Sequence, residues 1–172
     1  MHVLTALFSI VAAWRWGDWR NWNKYHSTML FIALGNLTYN FIAANHLLWR
    51  FTPEHFNYYI ITELIYTFIV LPASVLLFLS NYPDDALKKV IYYIKWIFIF
   101  TAFEYFFLIN DGIVHQNGWN IWWSLIFLFL MFPLIRLHHT KPLWGYLLAI
   151  FMACFVTWYF NIPIEVPIEF RK

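Results

Sequence analysis

Six long apolar runs separated by short polar gaps make up most of this chain, at residues 2–14, 27–49, 56–80, 90–110, 119–137 and 143–160. An α-helix of about 20 residues crosses a hydrocarbon core of about 30 Å. Backbone polar groups inside lipid must be satisfied within the segment, so runs of this length read as helices. The pattern predicts an all-α, polytopic membrane helix bundle with six transmembrane helices, one domain over residues 1–172 with an extended tail from about residue 161. The gaps are too short to hold a soluble domain, so neighbouring helices run antiparallel. Pro72 and Pro133 fall inside the third and fifth runs and predict kinks, because each removes a backbone donor.

The first run is short, and its Val11-Ala12-Ala13 is similar to a signal-peptide cleavage site. Arg15 and Arg20 follow that run instead of preceding it, so a retained helix is expected. Lys and Arg set the orientation. Arg15, Arg20, Lys24, Lys88, Lys89, Arg136 and Lys141 occupy the first, third and fifth gaps, against Arg50, Arg171 and Lys172 on the other side. That excess places the odd gaps in the cytoplasm and both termini outside. Trp14, Trp16, Trp19, Trp22 and Trp144 mark an inner aromatic belt, and Trp49, Trp119, Trp122, Trp123 and Trp158 an outer one. Lys95 snorkels to the inner interface. The pair His138-His139 meets headgroups there.

Composition agrees. The chain is 62% hydrophobic and 12% charged, far from the balance of a soluble domain. A net charge of +2 with no long basic stripe excludes nucleic acid as a partner. The first gap interleaves tryptophan with basic residues, which suits the headgroup layer and anionic lipid. Cys154 has no second cysteine to pair with and reads as a small apolar residue.

Two glutamates interrupt the apolar runs. A carboxylate at membrane depth costs a few kcal/mol or more, so Glu63 and Glu104 are the leading functional candidates. At about 1.5 Å per residue, both lie roughly 9–10 Å below the outer ends of their runs. Tyr59, Glu63, Tyr66 and Val70 share a helical face, as do Tyr93, Ile97, Glu104 and Asp111, with Thr101 close by. Asn36, Tyr39, Asn40, Ala43 and His46 form an amide stripe on the second run. His55, Asp111, His115 and Asn120 belong to the same outer side. The expectation is an outward-facing pocket of Glu63, Glu104, His46, Asn36, Asn40, Tyr66, Asp111 and His115, binding a cation, a proton or a small polar ligand as a sensor or carrier. Glu63, Glu104 and His46 are a weak set for a divalent metal such as Zn²⁺ or Mn²⁺, since no HxxxH or HExxH spacing supports one. Three alternatives stay open. The acids hold helices together, or serve as acid and base of a membrane-embedded enzyme on a lipid or envelope precursor, or belong to a structural subunit of a membrane complex.

The block Gly17-Asp18-Trp19-Arg20, with Trp22, Lys24-Tyr25, Thr28-Met29-Leu30, Gly35-Asn36-Leu37 and Tyr39-Asn40, resembles an uncharacterised family of small multi-pass membrane proteins of Bacillus-like firmicutes. Asn117-Gly118-Trp119-Asn120 and Met131-Phe132-Pro133-Leu134 are similar to the same family. The resemblance implies a bacterial cytoplasmic membrane and a similar number of helices, and it brings no activity with it.

Overall fold

A computed structural model describes residues 1–53 and 58–171; the expected run start at Phe56, together with His55 and Lys172, lies outside them. Helix makes up 75% of the described residues, which hold six helices. They are α1 (His2–Trp16), α2 (Asn23–Ile42), α3 (Tyr59–Ser80), α4 (Ala86–Ile109), α5 (Ile121–Thr140) and α6 (Pro142–Tyr159). Side chains stop two of the orphan N-termini. Asp85 accepts from the Lys88 amide at 3.0 Å, and Asn120 from the Trp122 and Trp123 amides at 3.0 and 3.3 Å.

Among the described residues four helices, α3 to α6, are long and apolar enough to cross a membrane. The other two differ for visible reasons. The 15 residues of α1 reach only about 22 Å. Asn23, Lys24, His26, Asn36 and Asn40 dilute the apolar content of α2. Much of the side surface is large and apolar, with Phe98, Phe151 and Leu143 each at least two-thirds exposed. A contiguous surface of this kind marks a lipid- or partner-facing wall.

One expected kink is a different device. Within α3 the Tyr66–Val70 turn is widened to π geometry, with the Leu71 amide bonded to the Tyr66 carbonyl. Pro72 sits just beyond it and offers no N–H to the preceding turn. Pro133 is contained in a continuous α5.

The second run corrects its predicted end. Helix α2 stops at Ile42, seven residues before Trp49, and Asn45 takes a left-handed φ of 62°. Beyond it Trp49–Phe51 forms strand β1, which pairs antiparallel with β2 (Ile113–His115), Trp49 facing His115 and Phe51 facing Ile113. Bonds from Thr52 N to Gly112 O (3.0 Å) and Gln116 N to Leu48 O (2.7 Å) extend this ribbon. Apolar alternation over only three residues at the end of a long apolar run carries too little signal to mark a strand.

One end of the bundle gathers the ribbon, the N-terminus and the tail. The tail is not an extended strand. It turns through Ile168–Phe170, and Arg171 donates to Ile42 O at 2.6 Å, capping the carbonyl end of α2 while Asn45 donates to Ile168 O at 2.8 Å. At the opposite end Asn81 donates to Trp16 O at 3.0 Å. His138 is buried there instead of meeting headgroups, bonded to Thr28 Oγ1 at 3.0 Å and stacked on Phe31 at 3.9 Å. Gly145 permits this close contact of α6 with α5, because a Cβ would come within 2.7 Å of His138 Cα. The largest core cluster lies between, with Phe78 and Phe132 fully buried among Tyr82, Tyr92 and Trp96. The outer tryptophan belt also needs correction. Trp122 and Trp158 are exposed, but Trp49, Trp119 and Trp123 pack with Phe160 under the ribbon.

Candidate functional site

The ribbon end is built from hydrogen-bonded polar side chains over this tryptophan cluster. Tyr39 ties α2 to β1: its hydroxyl donates to Trp49 O at 2.9 Å and accepts from the Leu48 and Trp49 amides at 2.9 and 3.0 Å. Its ring stacks on Trp49 at 3.9 Å.

Glu63, partly buried on α3, is surrounded by donors. Asn40 Nδ2 donates to its Oε2 at 3.2 Å, and Asn36, Tyr59 and the Phe51 backbone lie close by. The Tyr59 hydroxyl donates to Asn40 Oδ1 at 3.3 Å. Just below, Asn36 Nδ2 donates to Thr67 Oγ1 at 2.8 Å, and Thr67 donates to the Glu63 carbonyl at 2.7 Å. That bond occupies a carbonyl beside the widened turn of α3, where regular pairing is disturbed.

Glu104 has its own partners. Its Oε1 lies 2.8 Å from His115 Nε2 on β2 and also accepts from the Ser124 hydroxyl on α5. The same hydroxyl accepts from Trp119 Nε1 at 2.8 Å. Side-chain exposure of 12% for His115 and 19% for Glu104 leaves the pair within reach of water.

The two acids therefore occupy two networks. No hydrogen bond or ion pair joins Glu63 to Glu104 among the described residues. What they share is proximity to the ribbon: the Phe51 backbone on β1 lies near Glu63, and His115 on β2 bonds to Glu104. The expected site at matched depth is thus not one hydrogen-bonded network among the described residues: each carboxylate has its own partners beside the ribbon.

Of the other expected residues, Asn36 and Asn40 join Glu63, and His115 joins Glu104. Tyr66 has no hydrogen bond to Glu63 among the described residues. Its hydroxyl lies 3.0 Å from Nδ1 of His2, and its ring stacks on Phe51 at 3.7 Å. Asp111 is exposed at the C-terminal turn of α4 with φ 56°, where Gly112 N bonds to Phe107 O at 2.8 Å; its place there is that of a left-handed cap. His46 lies past the end of α2, off the Asn36–Asn40 face, and its buried Nε2 has no partner among the described residues. No group of three or more His, Cys, Asp or Glu suited to a metal ion occurs among the described residues, so Glu63, Glu104 and His46 do not assemble as a ligand set.

Reasoning from sequence missed Ser124, Trp119, Thr67 and His2. His2 is fully buried, with Nε2 2.9 Å from Thr52 O and rings of Phe51, Tyr66 and Phe107 around it. Ser124 carried the one legible signal, a hydroxyl four residues into an otherwise apolar helix. Compared with known proteins, the chain matches no family model, no curated protein and no solved structure.

Proposed function

We propose that the chain is a multi-pass protein of a bacterial cytoplasmic membrane, with the ribbon end outside, and that it works without catalysis as a sensor or carrier. Its outward-facing polar sites at Glu63 and Glu104 take up a proton. The observation that carries this reading is Glu104, one of whose carboxylate oxygens, Oε1, is shared by His115 on the ribbon and Ser124 on α5. Histidine and carboxylate are the side chains whose charge follows external acidity, and here they join a strand to two helices. Any change in proton occupancy alters that junction. Donors surround Glu63, which does not suit a metal ion, because a metal needs several converging acceptors.

Infrared difference spectroscopy of the purified protein in lipid tests this. Acidification produces a carboxylic-acid C=O band, and Glu63→Gln and Glu104→Gln each remove part of it, while His115→Gln shifts the Glu104 part. A spectrum indifferent to all three substitutions would end the reading.

A further inference from the structure

A second polar feature lies at the opposite end of the bundle. Trp14, Arg15, Gly17, Asp18, Trp19 and Arg20 line an open cleft of about 570 Å³ at the turn between α1 and α2. Gly17 makes the turn: its amide still bonds to Ala13 O at 2.8 Å, and a Cβ there would lie 2.5 Å from that oxygen. The chain then winds through a short 3₁₀ turn, Trp19–Asn21, into α2.

The charges of the cleft are not balanced. Its acid, Asp18, is already engaged, both oxygens accepting from Asn21 Nδ2 at 3.1 Å and Oδ2 also from Tyr25 at 3.3 Å. Arg15 and Arg20 are exposed, and neither guanidinium has a hydrogen-bond or ion-pair partner among the described residues. Above the cleft, exposed Leu4, Leu7, Val11 and Trp14 recur at three- and four-residue spacing, an apolar stripe that runs down α1 into it.

We propose that this cleft is a discrete site for the phosphate of an anionic phospholipid. Arg15 and Arg20 hold the phosphate oxygens, Trp14 and Trp19 sit at headgroup level, and an acyl chain lies along the stripe of α1. Guanidinium forks match phosphate geometry, and indoles prefer the membrane–water interface. The stripe decides between two sources of the same chemistry, since free phosphate has no use for an apolar track ending at the arginines. The site rests on the bilayer reading above.

The test uses the full chain purified in neutral detergent, titrated with short-chain phosphatidylglycerol, short-chain phosphatidylcholine and inorganic phosphate. Phosphatidylglycerol binds and raises the melting temperature; the other two do so far less. Arg15→Gln with Arg20→Gln weakens phosphatidylglycerol binding about 30-fold, and the corresponding lysine pair, which keeps the charge, weakens it less. Equal binding of phosphatidylcholine, phosphate matching phosphatidylglycerol, or a glutamine pair that keeps the preference each overturns the site. Alkaline washing of membranes separates the two levels. A chain that is extracted overturns the bilayer reading itself, whereas one that stays embedded without a lipid preference overturns only the cleft.

Discussion

Ser124 is the residue on which the Glu104 site converges. It donates to Glu104 and accepts from the Trp119 indole, so Ser124→Ala strands one buried N–H and removes one donor from the carboxylate. An unsatisfied buried donor costs about 1–3 kcal/mol, so the melting temperature should fall, with Ser124→Thr recovering most of the loss. An unchanged melting temperature would mean the indole has found another acceptor. Single residues were legible in the sequence where their chemistry clashed with their surroundings. Glu63 and Glu104 stood out for that reason, and Asn36, Asn40 and His115 followed from position. The partnership of His2 with Tyr66 spans 64 residues, and no local pattern records a contact of that kind.

Among the elements, the helices were readable from their apolar runs to within a few residues, except for the early stop of α2 at Ile42, and the strands were not. Trp49-Arg50-Phe51 lies in the second gap and its approach, where apolar side chains continue after the helix has stopped. The helix stops because Asn45 turns left-handed and Tyr39 offers its hydroxyl to the amides that follow. Removal of that hydroxyl tests the ribbon as a separate unit. Tyr39→Phe forfeits three hydrogen bonds to Leu48 and Trp49, so amide exchange across residues 48–52 should accelerate while α4 and α5 keep their protection. Acceleration throughout the bundle would show that the ribbon is part of one cooperative core.

At the scale of the molecule, alternation of the helices follows from their short connections. The contacts agree, since the N-terminus, ribbon and tail meet at one end and residues 16 and 81 at the other. Which end faces outside was argued from basic residues. Glu165 and Asp84 are exposed at opposite ends. In a Cys154→Ala background, Glu165→Cys should react with an impermeant maleimide on intact cells, and Asp84→Cys only after permeabilisation; the reverse would invert the orientation. The separate partners of the two acids were not legible because depth along a helix says nothing of azimuth. In α3 that azimuth depends on the wide turn at Tyr66–Val70, which takes in one residue beyond the α repeat. An insertion of this kind re-phases everything before it by about 100°. The acid-bearing half of α3 and the half packed around Phe78 thus follow different frames, and a sister chain shorter by one residue at this turn would aim its acid away from Asn40 while keeping the same aromatic core.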